Sequence, residues 1–350
     1  MKPPVWMLSF GLAILAAAAT AGLTRAVIKI SHRREWLDFP DDRKRHPKAV
    51  PRLGGVAIFL TFWGLIFIVQ VFRPACLAIF SPDAMVIFVG ALIIFLLGLF
   101  DDFHPLRVEG KLLVQLLVGI WLWFSGLGID QLWVPTVGGV NLGAASLPVT
   151  LAWFILLVNA INIIDGLDAL AAGVSLIGLA SVMVIGVRTD VPDAIVLSLV
   201  LVGALSGFLI YNRPPARIFL GDCGSLSLGY FFAVLALWLP IKRYTVVAVY
   251  VPVLAILVPL AELAWSILRR IAGGKKPTTP DRGHIHFRLI ELGFSAGGVR
   301  LLFYGLSVVG FAFALAAAYG NRRLWMTVFG FFVLALVSGL YILLRTRGRK

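Results

Sequence analysis

Along this chain, apolar residues gather in long unbroken blocks, with the polar ones confined to the gaps between them. Eleven apolar segments can be drawn, over about 5–28, 53–72, 84–100, 111–128, 147–164, 169–187, 194–212, 225–241, 245–268, 298–318 and 324–344. A helix that crosses a bilayer needs ~20 largely apolar residues. The pattern therefore predicts an all-α, polytopic integral membrane protein with about eleven transmembrane helices, forming one membrane-embedded domain over residues 1–350. Lys242-Arg243 marks a very short turn between the eighth and ninth segments. The first segment is too long for the core of a signal peptide and lacks the usual basic leader, so it reads as a retained span.

Composition agrees with this pattern. Of the 350 residues, 60% are hydrophobic and only 14% charged, against roughly 25% charged in a soluble domain. The formal charge of +14 does not indicate a nucleic-acid partner, because the basic residues fall in short clusters between apolar runs. Alternate loops carry 24 lysines and arginines on one side and 7 on the other. Positive charge is retained in the cytoplasm, which places the N-terminus outside and the C-terminus inside. Asp101, Asp102, Asp165, Asp168, Asp222 and Asp281 fall on the same cytoplasmic side, which predicts one site at that face. Cys76 and Cys223 are too few for a disulfide framework and fit no zinc pattern.

Chemistry is centred on Asp101-Asp102, two adjacent carboxylates where an apolar helix meets water. Ionised carboxylates are costly near lipid and mark functional sites there, and a neighbouring pair needs a positive partner, for which a divalent cation is the obvious candidate. A helix end that merely stops the span is the plain alternative. Lys111 follows at the start of the next segment, placed either to draw in a phosphate or to snorkel to the interface. Asn159, Asn162, Asp165 and Asp168 recur every three residues and share one helical face. Their oxygens suit a hard cation or a nucleobase edge. Asp222 stands between Gly221 and Cys223-Gly224 in a tight loop, as a metal ligand or a helix cap. In the basic first loop, Lys44 is favoured as a ligand contact over Arg43 and Arg45, which suit simple anchoring. Glu262 falls inside the ninth segment and is expected to pair within the bundle. His284 and His286, flanked by Arg282 and Arg288, suit a pyrophosphate better than zinc, since no third soft ligand lies nearby.

Five blocks together resemble one family. They are Arg43-Lys44 with Pro51-Arg52-Leu53-Gly54-Gly55; Asp101-Asp102 with Lys111; Asn159-x-x-Asn162-x-x-Asp165-Gly166-x-Asp168; Phe219-Leu220-Gly221-Asp222-x-Gly224-Ser225-Leu226; and Asp281-Arg282-Gly283-His284-Ile285-His286. In this order the chain resembles the polyprenyl-phosphate N-acetylhexosamine-1-phosphate transferases, the superfamily that includes phospho-N-acetylmuramoyl-pentapeptide transferase. The resemblance implies transfer of a sugar 1-phosphate from a UDP-sugar to a polyprenyl phosphate such as undecaprenyl phosphate, releasing UMP, with Mg²⁺ (or Mn²⁺ in its place), at the cytoplasmic face of the bacterial inner membrane. It implies Asp101 and Asp102 as the catalytic acid pair, Asp222 and Asn162 as metal ligands, Asp168 facing uracil, Lys111 facing the lipid phosphate, and catalytic importance for His284 and His286. Lys44, Asn159, Asp165, Arg282 and Arg288 would contact substrate.

Two departures from the family pattern stand out. Ala169 takes the last place of Asp-Gly-x-Asp-Gly, and Phe287 takes the third imidazole position of His-x-His-His. The muramoyl-pentapeptide branch's run of three histidines is absent, which favours a smaller sugar such as UDP-GlcNAc and a role in initiating surface glycan synthesis. The competing class is a cation- or proton-coupled transporter, which would spread charged residues through mid-bilayer and break several spans there. Oligomeric state is left open, with a homodimer among the options.

Overall fold

The computed structural model describes residues 5–39, 48–72, 82–134, 138–189, 191–238, 256–276, 279, 283–318 and 330. Eleven helices are placed: α1 (Val5–Arg34), α2 (Gly54–Phe72), α3 (Pro82–Phe103), α4 (Val108–Phe124), α5 (Ser146–Ile164), α6 (Leu170–Thr189), α7 (Pro192–Asn212), α8 (Gly221–Trp238), α9 (Leu257–Ala272), α10 (Ile285–Glu291) and α11 (Ala296–Ala318). Among the described residues, six of these helices, α1, α2, α3, α5, α6 and α7, are long and apolar enough to cross a membrane. The one departure from helix among the described elements is an antiparallel hairpin, β1 (Gln131–Val134) with β2 (Gly138–Asn141). It lies in the α4–α5 connection, where Val, Trp and Leu between glycines favour pairing over another turn of helix.

The helices follow the apolar blocks but run on at their ends. α1 continues to Arg34, six residues past its apolar block, and its last turn carries His32, Arg33 and Arg34, cations that suit a helix C-terminus. α8 begins at Gly221, four residues before its apolar run. The seven-residue α10 lies in a stretch too polar and too short to show as a span. The expected turn at Lys242-Arg243 and, but for residue 330, the last apolar block, 324–344, lie outside the described residues, as does Cys76.

α8 is the axis of the bundle. Every residue of its first fifteen except Asp222 is buried, and it packs against α2, α3 and α5. Aromatic rings fill the seams: Phe59 stacks on Phe95 at 4.1 Å, Phe62 meets Phe231 at 4.5 Å, and Phe154 meets Tyr230 at 5.8 Å. The Tyr230 hydroxyl donates to the carbonyl of Ile87 on α3 (2.8 Å), and the indole of Trp153 on α5 donates to the Ala233 carbonyl (3.1 Å). Buried donors without water need such partners. On the outer side of α3, Val89, Ile93, Leu96 and Phe100 are exposed at helical spacing. Such a bare apolar stripe suits a hydrocarbon solvent.

α3 can lie against the start of α8 only because residue 98 is glycine. A Cβ there would fall 2.5 Å from the carbonyl carbon of Asp222 and 2.6 Å from the Cα of Cys223. Both are backbone atoms that cannot rotate away. Gly98→Ala is therefore expected to destabilise the protein by about 1–3 kcal/mol, the usual cost of overpacking. Gly64→Ala meets nothing within 4 Å and should stabilise α2 by up to about 1 kcal/mol. Thermal unfolding of the two variants in detergent checks both signs.

Candidate active site

The chain returns repeatedly to one end of the bundle. The end of α3, the start of α4, the α5–α6 turn, the start of α8 and the strand-like segment before α2 all meet there. Pro51-Arg52-Leu53-Gly54-Gly55 pairs by backbone with the stretch leading into α8. The Phe219 amide donates to Pro51 O (2.8 Å), and the amides of Gly54 and Gly55 donate to Phe219 O (3.0 Å) and Leu220 O (2.8 Å). Gly221 then turns the chain with φ +75°. A side chain there would strike the Arg52 carbonyl and come within 2.7 Å of the Asp102 carboxylate.

Asp102 lies against the first turn of α8. Its Oδ1 accepts from the Asp222 amide (2.8 Å) and its Oδ2 from the Cys223 amide (3.0 Å). An anion on the unpaired amides of a helix start is favourable, which explains why α8 begins ahead of its apolar run. Both Asp102 oxygens are thus committed to the backbone. Its neighbour Asp101 accepts from the Leu106 amide through Oδ1 (2.7 Å) and meets Lys111 Nζ through Oδ2 (3.1 Å). Lys111 also reaches Asp222 Oδ2 at 2.9 Å. One ammonium therefore bridges carboxylates 121 positions apart in the chain. Asp222 is also within hydrogen-bonding reach of Asp101 and of the Asn162 amide.

The polar face of α5 divides into two parts. Asn162 Nδ2 donates to Ser225 Oγ on α8 (2.9 Å). Asn159 donates to Gln115 Oε1 on α4 (2.6 Å) and to its own helix at Ile155 O (2.8 Å), so it ties two helices together one turn deeper. Past the helix end, Asp165 sits near Asp222, Asp102 and Asp168, with Arg52 the nearest compensating charge. Asp168 Oδ2 accepts from the Ala216 amide (3.0 Å) and so pins the α7–α8 loop.

Ala169 has φ +64°, the left-handed region that costs a non-glycine residue roughly 1–2 kcal/mol. Three hydrogen bonds hold it there. Its amide donates to Asn212 Oδ1 (3.0 Å), and its carbonyl accepts from the Tyr304 hydroxyl (2.6 Å) and from the Gly173 amide (2.9 Å). Asn212 Nδ2 donates in turn to Ile218 O (2.8 Å). A buried asparagine thus joins the α5–α6 turn to the segment entering α8.

The histidine segment approaches the same turn from the other side. His286 is wholly buried with Nε2 against Gly166, where a Cβ would lie 2.6 Å away. His284 is partly exposed. Arg288 lies one turn further on, in α10, and is partly exposed. Lys44 and Arg282 lie outside the described residues. Several residues around the site carried no individual signal in the sequence: Asn212, Ser266 and Tyr304. Each is an ordinary polar residue in or beside an apolar run, and only its partner gives it meaning. Glu262, the charge inside an apolar segment, does have such a signal.

Among the described residues, no three carboxylate, imidazole or thiolate groups converge closely enough to hold an ion unaided. The carboxylates of Asp101 and Asp222 are nonetheless gathered about the Lys111 ammonium, with the Asn162 amide beside Asp222. Mg²⁺ characteristically takes one or two carboxylates and completes its shell with phosphate and water. The donor set suits that kind of ion.

A model of glycosyl transferase family 4 matches residues 84–240. The chain is 36% identical over 317 residues to the probable undecaprenyl-phosphate N-acetylglucosaminyl 1-phosphate transferase of Bacillus subtilis, covering 90% of this chain and 86% of that protein. It is 31% identical over 367 residues to the decaprenyl-phosphate N-acetylglucosaminephosphotransferase of Mycobacterium tuberculosis, covering 95% and 90%. It is 34% identical over 265 residues to the undecaprenyl-phosphate alpha-N-acetylglucosaminyl 1-phosphate transferase of Thermotoga maritima, covering 75% and 76%.

Two outcomes are expected from the geometry. Asn212→Ala strands the Ala169 amide and the Ile218 carbonyl, and should lower stability by about 2 kcal/mol or more. Thermal unfolding measures it, with Tyr304→Phe as the milder, single-bond comparison. The second concerns Asp165, which lies between the spans. Burial, with Asp222, Asp102 and Asp168 nearby, pushes its pKa up to about 8. The folded protein then holds a proton that the unfolded chain releases near the ordinary carboxylate value, so stability falls as pH rises between the two. Metal-free protein should melt at a lower temperature at about pH 9 than at about pH 6, and Asp165→Asn should flatten that decline.

Proposed function

The chain belongs to glycosyl transferase family 4, and from that premise we propose how this site performs the family's chemistry. The protein is a membrane enzyme that transfers N-acetylglucosamine 1-phosphate to a polyprenyl phosphate. In our reading the donor is UDP-N-acetylglucosamine and the site faces the cytoplasm, where the basic loops lie. A terminal oxygen of the lipid phosphate attacks the β-phosphorus of the donor in line. The bond from that phosphorus to the oxygen bridging the α-phosphate breaks, and UMP leaves.

The convergence of Asp101, Asp222 and Asn162 around Lys111 carries this reading. A phosphate monoester has its second pKa near 6, so the attacking oxygen needs little deprotonation at neutral pH. Rate then comes mainly from positioning. Lys111, whose three donors are only partly used by carboxylates, draws the lipid phosphate to the rim. Asp101 orients it and accepts whatever proton it still carries. Asp222 and Asn162 would hold Mg²⁺, which when bound would neutralise charge on the pyrophosphate. Asp102 keeps Asp222 in place by holding the start of α8. Asp168 and Asp165 face the nucleoside end, and Arg288, Arg282 and Lys44 meet the phosphates.

A transporter relay would need ionisable groups spread through the depth of several helices. Here five aspartates share one end of the bundle. Their charge suits a metal-assisted transfer, not a path across the membrane.

Purified protein is to be given radiolabelled UDP-N-acetylglucosamine and undecaprenyl phosphate. Label should enter the lipid, stop with EDTA and resume with Mg²⁺. Asp222→Asn should lower the rate by about 100-fold or more, in the range of lost electrostatic stabilisation. Failure to label lipid from any member of a panel of UDP-sugars would overturn the assignment.

A further inference from the structure

Glu262 is wholly buried in α9, and the established activity gives it no task. Its Oε1 accepts from the Ile285 amide at 2.6 Å. The same oxygen lies 3.4 Å from His284 Nδ1 and 3.7 Å from His286 Nδ1. Ser266, one turn along α9, places its Oγ 3.1 Å from His284 Nδ1. The two imidazoles are nearly parallel, with centroids 5.6 Å apart and planes 8° from one another. Arg269, the next charge on α9, lies with its guanidinium against Gly283, beside the histidine segment. Neither nitrogen of the fully buried His286 has a partner within hydrogen-bonding distance, so Glu262 faces its Nδ1 as a nearby charge. Its Nε2 backs Gly166, between Asp165 and Asp168.

An ionised carboxylate can only accept hydrogen bonds. An imidazole nitrogen facing it is therefore favoured as N–H, and this fixes the tautomer of the ring. A buried carboxylate also needs partners of this kind to be tolerated at all. The geometry points to Glu262 as the positioning residue of the histidine motif: it holds His284 and His286 in the Nδ1–H form and, through His286, seats the Gly166 turn that carries Asp165 and Asp168. Glu262 touches no substrate. It acts through the two rings, much as an outer carboxylate orients a metal-bound histidine. The kinetic consequence rests on the transferase reading above, while the tautomer does not.

The test begins with ¹⁵N-histidine-labelled full-length protein in micelles, with His284 and His286 assigned by single asparagine substitutions. Long-range ¹H–¹⁵N spectra of the wild type should show Nδ1–H for both rings at neutral pH. Nε2–H in both would overturn the proposal whether or not any sugar is transferred. E262Q keeps the shape and an oxygen for the Ile285 amide and the rings but loses the charge that favours N–H opposite it, and should lower the Nδ1–H fraction of both rings. In the transfer assay E262Q should lower kcat by about 10- to 100-fold, with KM for UDP-N-acetylglucosamine changed less than about threefold. E262D, which keeps the charge, should recover most of the loss. E262Q added to H286N should cost little beyond H286N alone, since coupled residues are not additive. Unchanged ring tautomers in E262Q, or a fully multiplicative double variant, would show that Glu262 does not work through the histidines.

Discussion

The carboxylate of Asp102 on the first amides of α8 is the contact on which the site depends. α8 is buried along most of its length, and a buried helix start with unpaired N–H groups is costly. Two of those groups are satisfied by a side chain from α3. This contact sets where α8 begins, and hence where Asp222 points. It also makes the two members of the acid pair unlike. Asp102 is occupied with the backbone, while Asp101 one residue earlier is turned to Lys111. Adjacent carboxylates on a helix point about 100° apart, so a single helix end can both hold a neighbouring helix and offer a charge to the site.

Electrostatics follow from that arrangement. Five aspartates gather with Lys111 and Arg52 as the nearby cations, and Arg52 is shared with Asp38 at 3.5 Å. Among the described residues the cluster is short of positive charge even before a substrate adds phosphates. Lys111 between Asp101 and Asp222 relieves the worst repulsion and keeps the two carboxylates close enough to act on one ligand. A cation delivered with a phosphorylated substrate completes the balance, a natural logic for phosphoryl transfer, in which positioning and charge do most of the work.

Around this centre, several of the described turns at the site end are held by a side chain reading a backbone group. Asp168 holds Ala216, Asn212 holds Ala169 and Ile218, Tyr304 holds Ala169, and Glu262 holds Ile285. Short polar connections between membrane helices have little apolar surface of their own to bury. Hydrogen bonds of this kind replace a core. They also account for Ala169: three bonds on its backbone hold a conformation that glycine would adopt without steric cost.

Much of this was legible from the residues in order. The apolar blocks, each about a bilayer long, specify helices because a backbone in lipid must satisfy itself locally. The aspartates and asparagines at the block ends were conspicuous because charge there is expensive. Their spacing predicted one helical face from Asn159 to Asp168, but α5 stops at Ile164, so Asp165 and Asp168 fall in the turn beyond it. Tertiary structure alone decided which of those groups bond to protein. Asn159 pairs with Gln115 across two helices, and Asp102 caps α8 over 120 positions away, relations that no local period encodes. The hairpin at 131–141 and the short α10 also escaped, because neither is long or apolar enough to stand out against the spans. Local solvation by lipid is written residue by residue, and so the helices could be read directly. Long-range hydrogen bonds depend on how those helices pack, and only the packed bundle could assign them.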